Sequence, residues 1–430
     1  MKRIFVQSFG CRASQADGAA IEASLAERGC VVVREAADAD LVVLNTCTVT
    51  HAADVDARRI IRGIHRDVPG AQILVTGCYA QRAPEEITRL DGVACVVGNS
   101  HKTEIAEIVL AGSEEYHGQV LVSEMSTQPR FAATPVKDIR EDRTRPNLKV
   151  QDGCSNRCSF CIIPTVRGRS RSAPVERVVE QVRDLAQRYV EIVLSGINLG
   201  RWGRDLPGNL RFVDLLHAIL RDTEVRRLRI SSVEPMDWSE QLLALMAGEP
   251  RIAQHVHAPL QSGSDAVLKR MFRKYRTRHY ANRLELARQL MPDAAIGADV
   301  MTGFPGETDA EFAETVRFIE QHSFTYLHVF TYSERPGTAA AEMPSPVPMG
   351  VRRERTRVLR ELGERKNLQF RQSMIGKTLS AVTLEERGTA LTTNFLKVEM
   401  PQDRQPNQLL DLRIGAVTAH GLRERDLPAA

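Results

Sequence analysis

The stretch 152-DGCSNRCSFCIIPTVRGRSRS-172 places Cys154, Cys158 and Cys161 within eight residues and follows them with Arg167, Arg169 and Arg171. A CxxxCxxC loop is too compact, and one ligand short, for a closed structural zinc site, which takes four ligands from two separated pairs. Iron–sulfur clusters normally take four protein thiolates, so three leave one iron with an exchangeable position. The missing ligand then becomes the functional feature, a coordination position open to an outside reactant. The competing reading is a zinc knuckle or a chance cluster.

A second set of cysteines is spread along the chain. Cys11 follows RIFVQSFG, Cys47 follows LVVLNT and Cys78 follows ILVTG, so each lies just beyond a run that reads as a β-strand. Parallel strands bring such ends to one edge, and open α/β sheets bind ligands along that carboxyl edge. Three cysteines far apart in sequence are therefore expected to converge on a second three-thiol site. Cys30 and Cys95 sit at the start of or within apolar runs (GCVVV, ACVVG) and read as small buried hydrophobes.

The elements that must position these groups fall into an α/β pattern. Over residues 1–125, short β-branched runs alternate with helical periodicity, which predicts a mostly parallel α/β sheet. Residues 126–146 (TQPRFAATPVKDIREDRTRP after Ser126) are polar, basic and dotted with proline, and read as a linker. Over 147–372 a second alternation, with predicted strands EIVLSG, RRLRISS, HVHAPL, AAIGADVMTG and YLHVFTY, predicts a partial (β/α) TIM-like barrel. Residues 373–430 contain short strands between turn formers, which predicts a small β-barrel.

Eight cysteines in 430 residues are too few for a disulfide scaffold, and clustered thiols in a reducing compartment bind metal or do chemistry. No segment reaches eighteen uninterrupted apolar residues, and the opening MKRIFVQSFGC lacks a signal-peptide core. The expectation is a cytoplasmic protein with no membrane partner. A net charge of +4 makes no case for nucleic acid unless the charge is clustered.

The spacing of Cys154, Cys158 and Cys161, with Phe160 before the last cysteine, resembles the radical S-adenosylmethionine (SAM) superfamily. The segments FGC, LNTCTVT, TGCYAQ, HAPLQSGSDAVLKRMFRKY, GADVMTGFPGET and HVFTYSERPGTAA, in that order, resemble the methylthiotransferases of that superfamily over almost the whole chain. NTCTVT, CIIPTVRGRSRS and QSGSDAVLKRM resemble the branch that modifies threonylcarbamoyladenosine beside the tRNA anticodon. The resemblance implies that Cys154, Cys158 and Cys161 hold a SAM-cleaving 4Fe-4S cluster. It implies that Cys11, Cys47 and Cys78 hold an auxiliary 4Fe-4S cluster active in sulfur transfer, with adenine C2 as the acceptor. An electron-donor protein is implied as a partner. Segment 388-GTALTTNFLKVEM-400 resembles the RNA-binding TRAM module, and 11-CRASQAD-17 departs from the branch's usual CKVNQYE at Ser14 and Asp17.

Phe160, and Ser195, Gly196, Ser232 and Gly303 at predicted strand ends, are expected to contact the cofactor, since glycines there let backbone approach a ligand. The anticodon stem-loop is expected to meet clustered positive charge at Arg167, Arg169 and Arg171, at Arg273 and Lys274 within 269-KRMFRKYRTR-278, along the helix Arg352 to Arg371, and at Lys397. Tyr275 or Phe272 would stack on unpaired bases. Alternatives are an isopentenyl-adenosine tRNA or a ribosomal-protein aspartate as substrate. A non-catalytic iron–sulfur protein that binds RNA and senses redox state is a third.

Overall fold

The computed structural model describes residues 2–111, 117–125 and 144–425. Six strands form the first sheet: β1 (Arg3–Ser8), β2 (Val31–Val32), β3 (Leu41–Thr46), β4 (Gln72–Gly77), β5 (Val93–Gly98) and β6 (Gln119–Leu121). Their order is β2-β1-β3-β4-β5-β6, with every pair parallel. Alternate side chains leave a strand on opposite faces. Leu41 and Val43 accordingly enter one core with Ile4, Val6 and Leu74, while Val42 and Leu44 enter another with Ile73 and Val75. Covering both faces is what makes such strands read as unbroken apolar runs. Cys30 and Cys95 are buried in the first of these cores, as expected.

The central region holds a sheet ordered β10-β9-β7-β8 and a second ordered β11-β12-β13. These strands are β7 (Asn147–Asp152), β8 (Arg171–Ser172), β9 (Glu191–Gly196), β10 (Arg227–Ile230), β11 (His255–His257), β12 (Ala295–Thr302) and β13 (Tyr326–Thr331). A parallel bridge between Leu228 and Ile252 and a bond from the Val233 N–H to the His257 carbonyl (3.0 Å) join β10 to β11, so the two sheets curve into a partial barrel. One continuous core fills it, from Leu148 and Val150 to Leu359 and Leu362. Strand β7 is missing from the sequence reading because NLKVQD carries only two large apolar residues.

Helix Met349–Gln372 leads into a closed barrel of β14 (Thr378–Thr383), β15 (Thr389–Thr392), β16 (Lys397–Glu399), β18 (Leu422–Glu424) and β17 (Leu409–Val417), in that spatial order. Of the expected linker, residues 126–143 lie outside the described residues. Among the described residues no helix is long and apolar enough to cross a membrane.

The first sheet is fastened to the partial barrel through a buried carboxylate. Asp17, on helix α1 (Arg12–Glu27), pairs with Lys102 (2.7 Å), Lys149 and Arg167 (2.9 Å) and is 2% exposed. Arg167 also pairs with Asp152 (2.9 Å) at the end of β7. Burial alone would raise the Asp17 pKa, but the three cations outweigh it and hold the carboxyl well below its usual range. A second fastening joins Arg335 to Asp54 (2.7 Å) and to the Thr48 carbonyl (3.2 Å). Asp17→Ala leaves Lys102 without its carboxylate and Lys149 and Arg167 sharing only Asp152 away from water, so a loss of about 3–5 kcal/mol in chemical denaturation is expected. Because the folded pKa is depressed, this contribution is complete above about pH 4 and drains away only below it. The wild-type advantage over Asp17→Ala should therefore be flat from pH 5 to 8 and shrink in acid.

Candidate functional site

Cys11, Cys47 and Cys78 follow β1, β3 and β4, which are adjacent in the sheet, so parallel pairing delivers all three to one edge. Cys11 caps the start of α1 and Cys78 opens helix α2 (Cys78–Arg82). Each is preceded by a glycine with positive φ, Gly10 at 95° and Gly77 at 98°, which turns the chain off the strand end. A Cβ on Gly10 would lie 2.7 Å from the Cys47 sulfur, so the glycine also lets two thiol-bearing loops touch. Burial, with Cys78 and Cys11 adding to it, pushes the Cys47 thiol up to about 12. Arg167 Nε and Asn99 Nδ2 donate to the Cys78 sulfur at 3.2 and 3.5 Å.

The loop after β7 is held from three directions. The Asn156 N–H and Asn198 Nδ2 each donate to the Cys154 sulfur at 3.4 Å, and Arg273 Nη1 donates to the Cys158 sulfur at 3.2 Å. Burial raises Cys161 to about 12. Hydrogen-bond donors and cations aimed at sulfur favour the thiolate, the form that ligates metal. Neither trio draws its sulfurs together within 4.8 Å; among the described residues only His257, Asp299 and His328 converge so tightly. A single tetrahedral zinc would need thiolates about 3.8 Å apart. The wider spacing suits a polynuclear centre.

One cavity of about 770 Å³ is lined by a cysteine of each trio, Cys11 and Cys161, together with Arg12 and Phe160. Gly196 and Ser232 line it too. Ser195 does not, although it shares a strand face with Val193, which does; it is 1% exposed. Gly303 is also away from the cavity: its N–H donates to Glu307 (2.7 Å), and the absent side chain makes room for Arg352. Sequence reasoning missed the facing wall. There Ser232 Oγ lies 2.7 Å from His257 Nδ1, Asp299 reaches His257 (3.3 Å) and His328 (3.2 Å), and His255 Nε2 meets the Tyr326 hydroxyl (2.7 Å). The two histidines hold the Asp299 carboxyl well below its usual range against the opposing effect of burial. Phe395, from the terminal barrel, lines the same cavity and stacks on His255 with ring centres 4.3 Å apart. The HVH repeat of β11 was the available signal, since alternate residues share a face.

The basic residues divide differently from expectation. Arg167 is 1% exposed and fully engaged by Asp17, Asp152 and Cys78, so it cannot reach a phosphate. Arg273 is likewise buried, bonded to Glu234 and Cys158, and Tyr275 points inward to the Leu260 carbonyl (2.7 Å). Arg171 is half-buried and donates to the Arg167 carbonyl (2.9 Å). Lys397 pairs with Glu386 (2.7 Å). In the basic helix, Arg355 pairs with Glu307 and Arg371 bonds the Thr418 carbonyl, while Arg357 pairs with Glu354 and Glu361. Arg169, Phe272 and Lys274 remain exposed. In metal-free protein at pH 8, iodoacetamide should label exposed Cys11 well before buried Cys47 and Cys78, as read by peptide mass spectrometry. Equal labelling of all three would contradict this packing.

Residues 148–319 match the radical SAM superfamily, and residues 3–98 match the uncharacterized protein family UPF0004. The chain is 35% identical to a threonylcarbamoyladenosine tRNA methylthiotransferase MtaB of Aquifex aeolicus (strain VF5), over 96% of this chain and 100% of that protein. It is 37% identical to the protein so named from Bacillus subtilis (strain 168), over 93% and 90%. A tRNA-2-methylthio-N(6)-dimethylallyladenosine synthase of Syntrophus aciditrophicus (strain SB) is 32% identical, over 87% and 82%. The radical SAM methyltransferase TsrM from Kitasatospora setae, solved with cobalamin and a 4Fe-4S cluster, shares the fold at a TM-score of 0.60 and 15% identity, over 79% of this chain and 77% of that one. Matches of this identity, running through the strand-end cysteines, the three-cysteine loop and the terminal barrel, mean that the chain belongs to the radical SAM methylthiotransferases.

Proposed function

We propose that this methylthiotransferase adds a methylthio group to C2 of a threonylcarbamoyl-bearing adenosine next to the tRNA anticodon. The observation that carries this reading is one cavity lined by both Cys11 and Cys161, a thiol from each trio. Cys154, Cys158 and Cys161 are assigned one 4Fe-4S cluster and Cys11, Cys47 and Cys78 the other. A sulfur spacing too wide for one tetrahedral ion supports that assignment. When bound, the first centre supplies the electron that cleaves SAM, and the second supplies the sulfur that is transferred.

The chain's own residues hold, orient and shield. Asn198 and Arg273 fix two thiolates of the loop, leaving the side toward Phe160, Gly196 and Ser232 for SAM. Arg167 and Asn99 do the same for Cys78. Met301, Phe330, Tyr332 and Phe395 give the cavity apolar walls, which keep water from a reactive radical. The adenine ring would lie between Cys11 and Cys161. Exposed Arg169, Lys269, Lys274 and Arg278 are the remaining cations for the stem-loop phosphates, with Phe272 for stacking. An electron-donor protein and a cytoplasmic setting accompany this chemistry. The relatives at 31–34% identity named for dimethylallyladenosine keep that base as a second reading.

Anaerobic protein reconstituted with iron and sulfide should carry about eight irons, and Cys11→Ala and Cys154→Ala should each lose about four. Incubated with SAM, a reductant and tRNA carrying threonylcarbamoyladenosine, it should yield the 2-methylthio nucleoside in a tRNA digest read by mass spectrometry. Product formed only on dimethylallyl-adenosine tRNA would overturn the substrate; no 5′-deoxyadenosine at all would favour the non-catalytic alternative.

A further inference from the structure

Arg12 directly follows Cys11, stands in the first turn of α1 and lines the cavity. It is exposed, bordering a second, more open cleft as well, and among the described residues nothing lies within hydrogen-bond or ion-pair distance of its guanidinium. An arginine in such a place normally has a carboxylate partner, because five N–H donors and a permanent charge are costly to leave unmatched. The neighbours that act on it are Arg145, Arg229, Glu191 and Tyr326. Glu191 is already committed. It is fully buried, receives Arg229 on both oxygens (2.8 and 3.0 Å), and pairs with Arg145 (3.3 Å). Asp299, the acid that lines the cavity, is held by His257 and His328. His255, beside Arg229 and Phe395, is kept neutral by burial and by the surrounding cations, so it adds no charge of its own. On the cavity side, among the described residues, Arg12 therefore faces other cations and no uncommitted acid; Glu385 and Glu386 border the cleft on its other side without coming within ion-pair distance.

We infer that Arg12 binds the carboxylate of the substrate's N6-substituent and so selects a threonylcarbamoyl group over an uncharged one. The inference rests on the reading of the reaction given above. A threonylcarbamoyl group ends in a carboxylate, whose two oxygens match the guanidinium fork. A dimethylallyl group offers that fork nothing and would leave the cation desolvated beside hydrocarbon, which disfavours it. One unmatched residue thus both attracts one substituent and rejects the other.

The test is equilibrium binding to anaerobically reconstituted protein, with SAM and without reductant so that no turnover occurs. Anticodon stem-loops would carry threonylcarbamoyladenosine, its methyl ester, or plain adenosine at the same position. Wild-type protein is expected to prefer the free acid over the ester and over plain adenosine by roughly ten- to a hundredfold. Arg12→Gln should bring the three together without changing affinity for the plain stem-loop, and Arg12→Lys should keep part of the preference. If wild-type protein shows no preference among the three, the substrate reading itself fails. A preference that survives unchanged in Arg12→Gln overturns only the role of Arg12. Equal weakening of all three RNAs would make Arg12 a phosphate contact or a counter-charge to the neighbouring centre, which also overturns it. Should Arg12→Gln fail to retain iron, the Arg12→Lys comparison decides: an undiminished preference for the free acid sinks the inference.

Discussion

A carboxylate with no access to water, Asp17, sets the relation between the two halves of the reaction chamber. It lies on the first-sheet side and holds Arg167 from the three-cysteine loop region, Lys149 from β7 and Lys102 from its own sheet. Pairs buried like this add little net stability over well-packed apolar residues, but losing one partner is severe, so they act chiefly as registration devices. Here the register matters because Arg167 also donates to the Cys78 sulfur. One guanidinium thus ties a thiol of one trio to the segment that carries the other. The departure of Asp17 and Ser14 from the usual branch sequence acquires a physical meaning: both side chains are buried against Arg167.

The same economy governs the strand ends. Parallel sheets place every carboxyl terminus on one edge, and both sheet systems face those edges toward the shared cavity. The first sheet brings Cys11 there, with Cys47 and Cys78 on the same edge, and the partial barrel brings Gly196, Ser232 and the polar wall of β11 to β13. Reactive groups from distant parts of the chain meet because topology leaves them no other place. Such convergence also explains why so many groups in the chamber have displaced ionisation, with Cys47 and Cys161 raised by burial and Asp299 lowered by its histidines.

Much of this was legible in the residues. Short β-branched apolar runs marked β1, β3, β4 and β5, and a cysteine just beyond three of them could be assigned to one edge from the sequence. The loop spacing of Cys154, Cys158 and Cys161 was equally plain. What escaped was pairing over long sequence distances. Arg167 and Arg273 sit in basic runs that look like solvated faces, and nothing local reveals that Asp17, 150 residues away, and Glu234 draw them inward. Ser195 was picked out as a strand-end residue, and no local signal showed that packing would bury it. The partners of Gly303 lie on a helix some fifty residues on, so its glycine looked like a ligand contact when it is a packing notch for Arg352.

Phe395 deserves a different emphasis from the other cavity residues, because it belongs to the small terminal barrel. Its ring closes over His255, and Arg229 reaches across to the Thr392 and Thr393 carbonyls on the same turn. The appended module is therefore masonry of the chamber and cannot drift in evolution as a detachable handle. A lineage that exchanged this module with a cousin would inherit an altered ceiling over the base, and selectivity would travel with the graft.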